Sequence, residues 1–511
     1  MQQLGWHGGD RQWCAVICAT FVVLLLVNPL GYIGGGWDDW QYLEASRCWV
    51  EHGPCLPRTH WEGRWPVFAP IAAIVAVLGE SRATVGLWPL MSSIAAIALL
   101  VLVGNRVAGR PVGWLAGLLL LVTPAFSIQI LDPGVEAIEL AFILGGVLCI
   151  SIWLERRSAW LALLAGLAFG LAFQVRETSL IAITLTGIFV MTRKPRAVDI
   201  AAALAGFLSP LTIELLVYGI ATGDPLFRRM LSLTHTQIPS SELPGPVGKG
   251  SPFFNPATIA NWRLEPGLHI HWLIDGFDNL FVNAKAGLSL SLVPLLYVIE
   301  RSRLSVGDRR ITLALYGLAL VYIVSLIYVL AIDPKARMML APLSTTSIAL
   351  AFLLHRLARD GRLLLVSAIG MAIALIGVSI LYVHQRIGVV ETAASVWIAE
   401  RPDQIEIEQN TRRNLALIPN ARELPGLNSD RSYLLFTSIR TSCLIWLEES
   451  GLSQDALVII KEGRLSNASW LNSKIGGSLC LFRYRRVIDA ADIAAAIGHA
   501  RSDRRPEFGF K

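Results

Sequence analysis

Charge is what this 511-residue sequence has least of. Only 16% of its residues are Asp, Glu, Lys or Arg, where soluble domains carry about 25%. The deficit accompanies 54% hydrophobic residues and a mean hydropathy of +0.54; together they exclude an ordinary water-soluble enzyme. Internal repeats are missing too, and with them the repeat symmetry on which many transporters are built. No low-complexity tract occurs, and no compact His/Cys/Asp set has the spacing of a metal site. The net charge of +6 is spread over short loops between apolar runs, so it serves membrane topology and excludes a nucleic-acid-binding patch.

What is present is a series of long apolar runs. Residues 13–33 carry no charge and are long enough to cross a hydrocarbon core of about 30 Å. Further apolar segments fall at about 88–105, 111–125, 136–154, 158–175, 179–192, 198–220, 287–300, 311–332, 338–355 and 363–384. The sequence therefore predicts a polytopic α-helical membrane protein of about eleven transmembrane helices. Residues 67–79 are too short to span and read as a juxtamembrane helix. With the N-terminus cytoplasmic, GNRVAGR (104–110), ERRS (155–158), TRKPR (192–196), ERSRLSVGDRR (300–310) and HRLARDGR (355–362) all lie inside, and each is rich in Lys and Arg. The C-terminus is then extracytoplasmic. Two long segments, 34–87 and 221–286, lie on the outer face, the second with a Pro- and Gly-rich mobile loop at 239–256.

Beyond residue 384 the pattern changes. SYLLFTS (432–438), ALVII (456–460) and SLCLFRYRRVI (478–488) alternate with polar segments, which predicts a small extracytoplasmic α/β domain over 385–511. Residues 1–384 form the transmembrane domain. Cys14, Cys18 and Cys149 fall in apolar runs; Cys48, Cys55, Cys443 and Cys480 make two outer pairs, whose bonding the spacing leaves open.

The acids and bases that topology does not explain gather at the outer helix ends. Asp38 and Asp39 follow the first run. Asp132 follows the third, and Glu136 and Glu139 begin the fourth, three apart on one helical face. Arg176 and Glu177 separate the fifth and sixth. Asp333, Lys335 and Arg337 separate the ninth and tenth. The loop after the seventh adds Arg228, Arg229, His269 and His271. A polar cavity of carboxylates and cations at lipid-headgroup depth suits transfer of a group carried on a lipid phosphate: one carboxylate accepts a hydroxyl proton while cations stabilise the leaving phosphate. His60, Trp61, Glu62 and Arg64, with Tyr42, read either as sugar contacts or as an interfacial aromatic belt. Glu214, inside the seventh run, either lines a lipid groove or pairs with a neighbour within the bundle.

In this order the motifs resemble the GT-C superfamily of polyprenyl-phosphate-sugar-dependent glycosyltransferases. The similar branch holds the protein O-mannosyltransferases and the lipid A aminoarabinose transferase. The likeness rests on WDDWQYLEA, WPVFAPIAAIVAVLGES, VGNRVAGR, TPAFSIQILDPGVEA, AFQVRETSL, GDPLF and ARMMLAPLS, and it covers roughly residues 13–384. The chain departs from the branch in reading Asp-Asp where members commonly read Asp-Glu, and in placing Pro133 and Gly134 after Asp132. The resemblance implies an inverting transferase in which Asp38 activates the acceptor hydroxyl, Asp39 orients the acceptor or helps hold a divalent cation, and Asp132 assists. It implies that Arg176, Arg337 and Lys335 bind the donor phosphate. The implied partners are a polyprenyl-phosphate-linked sugar, a protein, lipid or glycan acceptor, and membrane lipids. A transporter or flippase of lipid-linked sugars is the competing reading.

Overall fold

The computed structural model describes residues 8–28, 37–57, 59–234, 277, 280–281, 285–330 and 336–399, with four strands beyond them. Helices α1 (Gly8–Val27), α2 (Trp37–His52) and α3 (Trp65–Leu78) come first. They are followed by α4 (Arg82–Ala108), α5 (Arg110–Leu121), a single turn α6 (Pro124–Ser127), α7 (Glu136–Arg156), α8 (Ala159–Val175) and α9 (Leu180–Met191). Next come α10 (Ala197–Thr222), α11 (Phe227–Thr234), α12 (Gly287–Glu300), α13 (Val306–Val324), α14 (Leu340–Arg359) and α15 (Leu363–Ala399). Among the described residues, each of the eleven apolar segments falls mainly on helix. Seven helical stretches among the described residues are long and apolar enough to cross a membrane; the remaining four segments form shorter apolar helices. The chain is a multi-pass membrane protein.

Local chemistry sets the helix boundaries. α4 begins six residues before the apolar run because Ser81 and Thr84 form a reciprocal cap: Ser81 Oγ accepts from the Thr84 N–H at 3.2 Å, and Thr84 Oγ1 accepts from the Ser81 N–H at 2.8 Å. Pro66 starts α3, where its missing N–H costs nothing, and Gly79 ends it at φ 79°. α3 is the helix anticipated over residues 67–79.

Burial separates the centre of the bundle from its rim. Across Ala336–Arg359, which includes α14, 78% of the apolar stretch is buried, against 17% in α10. α14 therefore forms the core with α4, α5, α12 and α13, through residues such as Leu100, Leu120, Leu290, Tyr322, Leu343 and Leu350. α10 packs along α8 and leaves Ile213, Leu216, Val217 and Ile220 exposed, a face suited to lipid. The α8–α10 crossing is close: a Cβ on Gly166 would sit 2.0 Å from the Ala203 carbonyl, and one on Gly206 2.1 Å from the Leu163 carbonyl. Small residues are the usual means of bringing membrane helices this near.

Beyond α15, β1 (Ile405–Ile407), β2 (Tyr433–Ser438), β3 (Ala456–Lys461) and β4 (Ser478–Tyr484) form one sheet in the order β1-β2-β4-β3. β1 runs parallel to β2; β4 is antiparallel to both β2 and β3. The apolar patches at 432–438, 456–460 and 478–488 coincide with β2, β3 and β4. Lys335, His269, His271, Cys443 and the loop 239–256 lie outside the described residues.

Candidate active site

The site gathers at the end of the bundle where α7, α9 and α11 begin and α8 and α10 finish. Its floor is an apolar cluster of Tyr42, Val67, Phe68, Val135, Ile138 and Val175, lined by Trp49, Trp61, Trp65 and Trp88. α2 is docked on this floor by its polar side chains. Ser46 Oγ donates to the Phe68 carbonyl at 3.1 Å, and the buried Arg47 reaches Glu80 at 2.5 Å. A Cys48–Cys55 disulfide closes the turn after α2, which makes the first outer cysteine pair a covalent staple.

Asp38 and Asp39 fall in the first turn of α2. Tyr42 stands one turn further along. Its side chain is fully buried, and its hydroxyl accepts a 2.6 Å hydrogen bond from Arg64 Nη1. Arg64 precedes α3 in the turn that holds His60 and Glu62; all three are buried. The His60 ring lies 3.7 Å from that of Trp61, centroid to centroid, and Thr59 bonds Gln41 of α2 at 3.1 Å. The HWEGR turn is thus part of the polar cluster beside α2.

Asp132, Glu136, Glu139, Arg176 and Arg337 form the second part. The Pro133–Gly134 step folds the chain back before α7. A Cβ on Gly134 would lie 2.8 Å from Glu136 Oε2, 3.0 Å from Gln129 Oε1 and 3.7 Å from Asp132 Oδ2, so glycine leaves room for three side-chain oxygens to converge. Glu136 and Glu139, on one face of α7, both meet Arg176, at 3.7 and 3.6 Å. Arg337 also approaches Glu136, at 3.6 Å from the same Oε1 oxygen that meets Arg176. Two guanidiniums from distant parts of the chain thereby share one buried carboxylate.

The third part has the largest buried charges. Arg228 and Arg229 of α11 close on Glu214, near the middle of α10; Arg229 lies 2.9 Å from it. Arg228 also donates to the Gln174 carbonyl at 2.6 Å, and Arg229 to Gln174 Oε1 at 2.7 Å and Glu177 at 2.9 Å. Arg229 lies over the Phe173 ring, 4.8 Å from its centroid. Gly63 permits this arrangement: a Cβ there would be 2.9 Å from Arg228 Cγ. The start of segment 221–286 is in this way packed against the HWEGR turn. Burial alone would raise the Glu177 carboxyl, but Arg64, Arg228 and Arg229 hold it below the usual carboxylate range.

Of the two readings of Glu214, pairing within the bundle is the one found. Arg228, Arg229 and Gln174 did not stand out as partners for it in the sequence. The available signal was a lone acid in an apolar run, since a buried carboxylate requires a cation, and the two arginines directly after GDPLF supply it.

The arrangement is a polytopic helical bundle with a polar cluster of carboxylates and guanidiniums at helix ends. The family model described as dolichyl-phosphate-mannose-protein mannosyltransferase matches residues 64–218, a stretch that holds Arg64, Asp132, Glu136, Glu139, Arg176 and Glu214 of this cluster. Among solved structures, the fold is similar to that of ArnT from Cupriavidus metallidurans in the apo state, with a TM-score of 0.50 over 93% of this chain and 98% of that chain at 11% identity. The Archaeoglobus fulgidus oligosaccharyltransferase in the apo form gives a TM-score of 0.46 over 81% of this chain and 62% of that chain, at 13% identity. No curated protein sequence matches. The family model covers 155 of the 511 residues, and the likeness to ArnT is one of fold.

Proposed function

We propose that the protein is an inverting glycosyltransferase that moves a sugar from a polyprenyl-phosphate donor to a hydroxyl acceptor on the outer face of the cytoplasmic membrane. The observation that supports this reading best is the convergence of Arg176 and Arg337 on Glu136 beside Asp132, at the same end of the bundle as the Tyr42–Arg64 pair of α2. A dianionic phosphate needs more than one cation, and guanidiniums suit it because their planar forks match its oxygens. The mannosyltransferase description of the matching family model agrees with a lipid-phosphate donor.

In this scheme Asp38 accepts the proton of the acceptor hydroxyl as its oxygen attacks the anomeric carbon. The bond from that carbon to the phosphate oxygen breaks, and polyprenyl phosphate leaves with the electron pair. Arg176, Arg337 and Lys335 neutralise the departing charge, so no second acid is needed; a single displacement inverts the anomeric centre. Asp39 orients the acceptor and Asp132 assists. Tyr42, His60, Glu62 and Arg64 face the sugar. Residues 385–511, whose first part continues α15 to Ala399 and whose remainder holds the four-stranded sheet, form an extracytoplasmic domain.

The test uses purified full-length protein in nanodiscs with a panel of radiolabelled polyprenyl-phosphate sugars and follows release of polyprenyl phosphate. Release by the wild type and its loss in Asp38→Asn is the expected result. Failure to consume any donor, with labelled donor instead moving across the bilayer, would replace the transferase by a transporter.

A further inference from the structure

At the end of the bundle opposite the active site, the turn after α7 meets the turn between α9 and α10. Arg156 and Arg157 lie in the first turn, and Arg193, Lys194 and Arg196 in the second. The two turns are stitched through backbone carbonyls: Arg157 Nη1 donates to the Arg193 carbonyl at 3.2 Å, and Arg196 donates to the Arg157 carbonyl. Asp199 takes Arg196 at 2.7 Å, and the nearby Glu155 is taken by Arg106 of α4. Five cations are thus brought together against one local acid. Like charges in such a corner repel, and the stitching holds Arg157 and Arg196 on each other's turns instead of letting them part.

Two further observations indicate what relieves that repulsion. Arg157 and Lys194 both have φ of 50° and are the non-glycine residues with positive φ among the described residues. L-residues avoid this conformation unless the surroundings impose it. The corner is also bordered by exposed apolar side chains: Trp160 at 62%, Met191 at 59% and Ile188 at 61%. A ligand resting there would meet cations at one end and hydrocarbon-compatible helix faces beside them.

We propose that this corner is a binding site for the phosphate headgroup of an anionic membrane lipid, with the acyl chains lying along α8 and α9. Arg156, Arg193 and Lys194, all exposed, supply the headgroup contacts. Trp160 sits at the level where indole rings mark a membrane interface. The site takes no part in transfer, and its ligand stays bound as a structural lipid. Free phosphate shares the headgroup chemistry but lacks the chains.

The test is native mass spectrometry of the full chain in detergent, titrated with cardiolipin, phosphatidylcholine or inorganic phosphate. Cardiolipin should be retained at least about tenfold better than phosphatidylcholine. Arg193→Gln/Lys194→Gln should lower that retention about thirtyfold, as expected for removing two cations from a lipid-facing basic cluster. Both positions are exposed, so the variant should fold; an unchanged thermal midpoint without lipid verifies it, and Arg156→Gln is the second variant should that midpoint drop. Arg301→Gln/Arg310→Gln, exposed cations in the turn after α12 and near the start of α13, should leave retention unchanged. The proposal is overturned if this control lowers retention equally, if phosphatidylcholine is held as well, or if millimolar phosphate displaces the lipid.

Discussion

At one end of the bundle Arg228 and Glu214 meet with about 1% of each side chain exposed; at the other, Arg106 and Glu155 meet with 30% and 70% exposed. The residue types are the same, but the energetics differ. A pair in water gains little, because solvent screens it and side-chain entropy is lost in holding it. A pair out of water costs heavily to desolvate and is retained only with close geometry and further hydrogen bonds. Arg228 and Arg229 have those bonds through Gln174 and Glu177. Charge at the first end is thus committed to fixed positions, as a site that neutralises a developing charge requires. At the other end, the pairs Arg356–Asp308 and Arg362–Glu300 tie neighbouring helix ends through arginines that are partly exposed.

The largest effects should therefore come from the first end. Asp38→Asn should lower the transfer rate by about a hundredfold to ten-thousandfold, the range for losing a general base, while the thermal midpoint in detergent stays put. A loss of stability comparable to the loss of rate would place Asp38 among the structural acids. Next comes Glu214→Ala, which leaves Arg228 and Arg229 in the interior without their central carboxylate. It should destabilise the protein by about 3–5 kcal/mol, and Glu214→Ala/Arg228→Met should recover part of that loss. Near-zero destabilisation, read by thermal unfolding, would erase the contrast between the two ends.

Much of this contrast was legible in the sequence, though unevenly. The apolar runs marked the helices because a span needs about 20 residues. Residues 82–87 of α4 were missed because a polar cap and Arg82 dilute the apolar signal there. Glu136 and Glu139 were legible as one face by their spacing of three, and both do reach Arg176. The pairings were not. Tyr42 and Arg64 are 22 residues apart, and Arg228 and Gln174 are 54 apart; no periodicity connects them. The close approach of Arg228 to Gly63 and the fold-back at Pro133–Gly134 are tertiary features of the same kind. A glycine in a sequence does not announce which side chain will occupy its space.

A smaller effect should appear with pH. The Glu177 carboxyl lies below its ordinary value because Arg64, Arg228 and Arg229 surround it, and these arginines stay charged throughout the range. A group whose folded pKa is depressed contributes stability above its unfolded pKa and loses it as pH falls through the folded one. The contribution of Glu177 should thus be constant from about pH 7 to about pH 4.3, the unfolded value for glutamate, and decline below that. Glu177→Gln should lower the thermal midpoint at neutral pH and flatten its acid limb. A variant whose acid limb matches the wild type would assign that limb to other carboxylates.

The smallest effect belongs to the exposed pair Arg106–Glu155. Arg106 Nη2 also donates to the Ser151 carbonyl at 3.3 Å, so Glu155→Gln leaves the arginine one partner and open access to water. A double-mutant cycle with Arg106→Gln and Glu155→Gln should give a coupling of about 0.2–1 kcal/mol, shrinking as salt shortens the screening length. The Glu214/Arg228 cycle should exceed it several-fold and respond little to salt, since buried pairs are poorly screened. If the two couplings were equal and fell together with salt, water would have access to the Arg228 network. The guanidiniums beside the site would then lack the low-dielectric setting that makes them effective toward a leaving phosphate.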